Sequence, residues 1–164
     1  MNYFELFDIP VSLRVDKQLL GKKYFELQKK YHPDFHSLAD DEMKEETLEM
    51  SSQINRAYKT FLNEDATIKY VLQLHQLLEE EEKYQLPPAF LMEMMELNEE
   101  LMEGNEGTRA KVETLKNEIY EAVKPVIDNY KEAVTTEKEL LQVKNYYYQK
   151  KYLNRISGQL NGML

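Results

Sequence analysis

Two side chains have the types and spacing of a proton-transfer pair: His32 and Asp34, separated by Pro33. In such chemistry the imidazole acts as general base and the carboxylate orients it. The sequence lacks the rest of such a site. No serine nucleophile sits in a strained elbow, no oxyanion donors are implied, and no cofactor motif occurs. His36 and His75 add no usable metal spacing. The absence of cysteine removes disulfides, thiol nucleophiles and thiolate metal sites. The expectation is a protein that is not an enzyme and holds neither metal nor cofactor. Proline at 33 pushes His32 out of the α region and so ends the helix before it. Pro33 fixes its own φ, and Asp34 can hydrogen-bond within the turn. His32, Pro33 and Asp34 are therefore expected at the tip of a helical hairpin, placed for docking rather than for packing.

Two further patterns carry binding chemistry. Over residues 17–31, five lysines face only Glu26, a local charge of +4 in a chain whose net charge is −9. Lys22, Lys23, Lys29 and Lys30 lie near one another, away from the apolar stripe. An isolated basic face of this kind is usually just solvated, but beside the His32–Asp34 turn it suits the steering of an acidic partner. The second pattern lies at 89–103. At about 100° per residue, Phe90, Met94, Leu97 and Leu101 share one narrow seam, expected as core. Leu91, Met95 and Met102 form a second apolar strip about a third of a turn away. Met92, Glu96, Glu99 and Glu103 border it, and the stretch has five glutamates and no basic residue, a local charge of −5. Either neighbouring helices bury both strips, or the second is an exposed anchor with an acidic rim for a partner that is apolar at its centre and basic around it. Methionine suits the latter because it adapts to a partner's shape.

The elements that must position these groups are helical throughout. Asn2 caps a short helix carrying Tyr3, Phe4, Leu6 and Phe7, which Pro10 ends. Asp16 caps a second helix with the stripe Leu20, Tyr24, Leu27 and Tyr31. A third begins after Asp40 or Asp41 and buries Thr47, Met50, Ile54, Ala57 and Phe61, making an antiparallel hairpin with the second. A break near Asn63-Glu64-Asp65 precedes a further helix with Ala66, Tyr70, Val71, Leu74 and Leu78. The charge run Glu79-Glu80-Glu81-Glu82-Lys83 and Leu86-Pro87-Pro88 mark a boundary. The spacing predicts domains at 1–78 and 89–164, with a linker at 79–88. Gly104 stops the helix that starts near Ala89. Val112, Leu115, Ile119, Val123, Val126 or Ile127, Tyr130 and Val134 follow helical spacing, which Pro125 should kink or split. Thr136-Glu137-Lys138-Glu139 reads as a capping box. It opens a last helix with Leu140, Val143, Tyr146, Leu153, Ile156 and Leu160 as its stripe. Tyr147, Tyr148 and Tyr152 are left over, Tyr152 lying off the stripe and able to face outward.

The negative charge argues against bulk nucleic-acid binding, and no run of 18 apolar residues exists to span a membrane. The start Met1-Asn2-Tyr3-Phe4-Glu5 lacks the basic region of a signal peptide. A cytoplasmic, bacterial protein is the expectation.

The order of a short aromatic helix, a basic helix, His-Pro-Asp and a long helix closely resembles a J-domain. Beyond that, Tyr3-Phe4-Glu5-Leu6-Phe7, Leu27-Gln28-Lys29-Lys30-Tyr31-His32-Pro33-Asp34, Ile54-Asn55-Arg56-Ala57-Tyr58 and Ala89-Phe90-Leu91-Met92-Glu93 resemble the HscB family of iron–sulfur cluster co-chaperones. The resemblance implies an all-α, L-shaped molecule with an N-terminal J-domain and a C-terminal three-helix bundle. It implies two partners, a DnaK-class chaperone of the HscA type whose ATPase the J-domain stimulates, and an iron–sulfur scaffold protein of the IscU type. Family scaffold contacts match Leu91, Met92, Met95, Glu96, Glu99, Glu103 and Tyr152 here, the last through a gapped alignment. A J-domain adaptor for another client and a passive helical interaction scaffold are the alternatives. Three departures stand out: Asn63-Glu64-Asp65 replaces the family's Asp-Pro turn, Pro125 is unexpected, and Phe35 replaces a lysine common after His-Pro-Asp. The cysteine-rich N-terminal extension of some eukaryotic relatives has no counterpart, in keeping with a bacterial protein without structural metal.

Overall fold

The structure, a computed structural model, describes residues 1–35 and 41–162, with side chains described for 1–34 and 41–158. His36, Asp40 and the Leu160 side chain, all named above, lie outside the described residues. Helices α1 (Tyr3–Phe7), α2 (Lys17–Tyr31), α3 (Asp41–Leu62), α4 (Glu64–Leu74), α5 (Pro88–Met102), α6 (Thr108–Asp128) and α7 (Glu137–Gly162) follow one another, with no strand among the described residues. The chain divides into two compact units, Met1–Val71 and Leu72–Leu164.

Local chemistry sets the ends of the first unit's helices. The Asn2 side chain accepts the Glu5 N–H and starts α1, and Asp16 accepts the Gln18 N–H and starts α2. Asn63 accepts the Ala66 N–H at 2.8 Å, so the predicted break is the cap of α4. Buried Phe4, Phe7, Leu20, Ile54, Ala57, Phe61 and Ile68 form the core. Phe61 receives Phe4 at 4.8 Å between ring centres and Phe7 edge-on at 5.5 Å. Tyr3 stacks on Tyr70 at 4.6 Å and donates its N–H to the Tyr70 hydroxyl at 2.9 Å. Thr47 and Met50 are only half-buried, and Ser51 takes the buried position in that turn of α3.

In the second unit, α5, α6 and α7 pack as a bundle. Phe90, Met94 and Leu97 of α5, Val112 of α6, and Leu153 and Ile156 of α7 form one buried cluster. Pro88 sits in the first turn of α5. At its other end Gly104 takes φ 73°, the left-handed value that lets the chain leave the helix. The capping box forms as expected: the Thr136 N–H donates to Glu139 at 3.0 Å, and the Glu139 N–H donates back to Oγ1 at 3.1 Å. These bonds to Thr136 hold the Glu139 carboxyl below its ordinary value.

Two expectations need correction. Pro125 does not split α6, which runs through it to Asp128. It stands in the last turn, so the single hydrogen bond its missing N–H forfeits is followed by little further helix. Asn129 then closes the end, donating both its N–H and its side-chain amide to the Pro125 carbonyl. Val134 does not continue the stripe; α6 has ended before it, and the side chain is exposed.

The acidic stretch before α5 is fastened to the bundle. The Lys144 Nζ lies 2.6 Å from Glu82, both side chains mostly buried, and the Tyr84 hydroxyl donates to Asn145 at 2.9 Å. Tyr84 also stacks on Tyr148 at 4.5 Å, and His75 meets the Tyr130 hydroxyl at 2.7 Å. Burial pushes the Tyr148 hydroxyl up to about 12, with the Glu82 charge adding to it. Burial also pushes the Glu82 carboxyl up, but the Lys144 and Glu79 hydrogen bonds and the Lys144 charge outweigh it and hold the carboxyl below its ordinary 4.5. A lowered folded-state value contributes stability that is complete above the unfolded value and is lost as pH falls through the folded one. Glu82→Gln is therefore expected to cost about 1.5–3 kcal/mol at neutral pH. Urea melts of both proteins should show this difference shrinking once the pH drops below 4.5.

Candidate functional site

The turn after α2 is built as its sequence requires. His32 leaves the helix with φ −66° and ψ 134°, its N–H still bonded to the Gln28 carbonyl. Residues Pro33–Phe35 then form one 3-10 turn. The Asp34 N–H donates to His32 Nδ1 at 3.2 Å, while the Asp34 carboxylate is farther from that nitrogen, at 3.5 Å. In a neutral ring an accepting Nδ1 places the proton on Nε2. A carboxylate that orients a general base does the reverse, accepting from Nδ1–H, so the geometry is that of a shaped turn. Asp34 is exposed and His32 half-exposed.

Behind this turn, α2 is pinned to α3 by polar contacts the sequence did not reveal. Asn55 Oδ1 accepts from the Tyr24 hydroxyl at 2.8 Å and from the Gln28 side chain at 3.1 Å, and Tyr24 stacks on Tyr58 at 3.9 Å. The lysines divide. Lys22, Lys29 and Lys30 are exposed, whereas Lys23 turns toward Asp8, 3.7 Å away, with a side chain only 25% exposed. Phe25 was also missed. It is 61% exposed on the same face, with Lys29 Nζ 4.6 Å from its ring centre. Its helical spacing from Lys22 and Lys29 was the available signal.

On α5 the two apolar strips part company. Phe90, Met94, Leu97 and Leu101 are buried, while Leu91, Met92, Met95 and Met102 are 41%, 65%, 64% and 87% exposed. Glu96, Glu99 and Glu103 beside them are exposed, and among the described residues none has an ion-pair partner. Glu100, between that rim and the buried seam, is instead tied to Lys111 of α6 at 2.6 Å. Tyr152 is half-buried against the bundle core, its ring edge-on to Phe90 at 6.2 Å, and so sits in the α5–α7 seam more than it faces outward. Among the described residues no His, Cys, Asp and Glu group is arranged to hold a metal ion, and no helix is long and apolar enough to cross a membrane.

Residues 86–161 match the family profile described as the HSCB C-terminal oligomerisation domain. A co-chaperone protein HscB homolog of Vibrio cholerae serotype O1 (strain M66-2) is 38% identical over 102 residues, covering 62% of this chain and 60% of that protein. Over nearly the whole chain the fold is that of human co-chaperone HscB: its crystal structure superposes with a TM-score of 0.79 at 28% identity, over 98% of this chain and 81% of that one. Residues 86–161 are thus an HscB C-terminal domain, and the chain as a whole is similar to HscB co-chaperones. The Vibrio cholerae HscB structure agrees, with a TM-score of 0.67 at 26% identity over 99% and 97% of the two chains. The N-terminal unit is thus a J-domain and the C-terminal unit carries the HscB three-helix bundle. The chain spans 60–65% of the length of the curated HscB relatives it matches, and those relatives are named co-chaperones.

The partition of α5 is checked by stability alone. Met94→Ala removes a buried side chain and should cost about 2–5 kcal/mol. Leu91→Ala and Met95→Ala should stay within about 0.5 kcal/mol of wild type in the same denaturant melts. A large loss at Met95 would mean that the second strip is core.

Proposed function

We propose that the protein is a J-domain co-chaperone of iron–sulfur cluster assembly. One surface holds an iron–sulfur scaffold protein of the IscU type, and the other engages a DnaK-class chaperone of the HscA type and stimulates its ATPase. The chain performs no chemistry of its own in this scheme. The observation that carries it is the exposed α5 strip. Four large apolar side chains stand on one helix side beside unpaired carboxylates, within the segment that matches the HscB C-terminal profile. Leu91, Met92 and Met95 serve as apolar anchors, Glu96, Glu99 and Glu103 as an acidic rim, and Tyr152 as a flank. The J-domain supplies the other surface through His32, Pro33 and Asp34, with Lys22, Lys29 and Lys30 steering an acidic chaperone face. Lys23 contributes less because Asp8 already faces it.

The family profile is described by oligomerisation, which raises a second copy of the chain as an occupant of the strip. A two-fold self-pairing would bring Glu96, Glu99 and Glu103 of both copies together without a compensating cation, so charge disfavours it.

Titration calorimetry against the scaffold protein tests the main assignment. Met92→Ala and Met95→Ala should each cost about 2 kcal/mol or more, roughly a thirtyfold loss of affinity. Glu93→Ala, outside the strip, should bind like wild type. Normal binding by both methionine variants would remove the scaffold from α5.

An ATPase assay with the chaperone addresses the J-domain. His32→Gln and Asp34→Asn should abolish stimulation while leaving the circular dichroism spectrum and scaffold affinity unchanged. Wild-type stimulation should decline as salt rises, since exposed charges more than about 8 Å apart are largely screened at physiological ionic strength. Salt-independent stimulation would exclude electrostatic docking on α2.

A further inference from the structure

The four large apolar side chains exposed on the α5 strip have a property that binding alone does not require. Three of the four are thioethers, and all three are open to solvent: Met92 is 65%, Met95 64% and Met102 87% exposed. Met92 and Met95 are helix neighbours at i, i+3, and Met102 lies two turns beyond Met95 on the same side. On the same helix Met94 is only 1% exposed, in the core cluster. Access governs which methionines oxidise. The helix therefore carries three reactive sulfurs whose loss of apolar character leaves the core untouched, with a shielded one beside them.

We propose that Met92, Met95 and Met102 form a reversible oxidation site that switches off binding at the strip, an inference that rests on the assignment of the strip to the scaffold protein. The oxidant is a peroxide. A thioether sulfur attacks one peroxide oxygen, the S–O bond forms as the O–O bond breaks, and two electrons pass from sulfur to the departing oxygen. The departing hydroxide takes the proton of the transferred oxygen and leaves as water, so each event adds one oxygen atom to one methionine. The product sulfoxide is polar and no longer fits an apolar partner surface. A thiol-dependent sulfoxide reductase returns two electrons, releases the oxygen as water and restores the thioether. Binding thus becomes sensitive to oxidant with no cysteine in the chain.

The full chain is treated with hydrogen peroxide, mapped residue by residue by mass spectrometry, and titrated against purified iron–sulfur scaffold protein. Met92, Met95 and Met102 should gain oxygen well before Met94, with the helical spectrum and melting temperature retained. Affinity should fall by roughly thirtyfold or more, the loss expected for disrupting a buried anchor, and return after treatment with the reductase. A Met92→Leu, Met95→Leu, Met102→Leu variant should keep its own untreated affinity through the same exposure. Met43→Leu, a change at an exposed methionine of the other unit, should remain as peroxide-sensitive as wild type. Three sulfoxides with unchanged affinity would overturn the switch, as would loss of binding only once Met94 oxidises and the bundle melts. Equal peroxide sensitivity in the triple leucine variant would overturn it too. If binding is weakened by Met92→Ala and Met95→Ala but not by oxidation, only the switch fails. If the alanine variants bind normally, the scaffold assignment fails and takes the switch with it.

Discussion

Helix α5 carries apolar residues on two sides, and the bundle buries one of them. Its neighbours α6 and α7 close over Phe90, Met94 and Leu97 through Val112, Leu153 and Ile156. Each apolar side chain so enclosed contributes about 1.5–3 kcal/mol. That burial orients the helix and thereby fixes what faces outward. Leu91, Met92, Met95 and Met102 are exposed because the core seam has been satisfied on the other side. Glu100 reinforces the same choice by reaching Lys111, leaving Glu96, Glu99 and Glu103 with no cation of the bundle to answer them. The surface strip is the complement of the core seam, and packing on one side positions the other.

The J-domain solves a different problem, holding a short polar turn in one shape without a core beneath it. Pro33 ends α2, but proline alone would leave the turn free to pivot with the helix end. Asn55 prevents this by accepting two hydrogen bonds from α2, beside the Tyr24–Tyr58 stack. Farther from the turn, Phe61 gathers Phe4 and Phe7, so α1 and α3 share one aromatic centre. Polar contacts near the turn and an aromatic centre farther from it join α2, α3 and α1, and His32 and Asp34 take their positions from the end of α2.

Local signals in the sequence reach a good part of this. Caps at Asn2 and Asp16, the Thr136–Glu139 box, the Gly104 stop and the division of α5 into seam and strip all follow from residues within one or two turns of each other. What escaped depends on distant partners. Nothing near Lys23 in the sequence announces Asp8, and nothing near Glu82 or Tyr84 announces Lys144, Asn145 and Tyr148, although these contacts fasten an acidic run to α7. Helical spacing also carried Val134 past the true end of α6, because periodicity records which residues could share a face and not where the helix stops. Pro125 misled in the opposite direction: its cost depends on how much helix follows it, and only Val126, Ile127 and Asp128 do.

Charge adds a further level of organisation to the proposed function. A chain with a net charge of −9 gathers positive charge on α2 and concentrates glutamate on α5. If each surface serves one partner, the two attract opposite kinds of protein. An acidic chaperone face drawn to Lys22, Lys29 and Lys30 is repelled by Glu96, Glu99 and Glu103, and a basic-rimmed scaffold is repelled by the lysines. Discrimination between partners then comes from penalties at the wrong site as much as from contacts at the right one. The apolar residues follow the same pattern: Phe25 stands among lysines and the methionines among glutamates, so on the proposed function each apolar anchor would be bordered by the charge that selects its partner. In that scheme, such a division would give each partner its own surface.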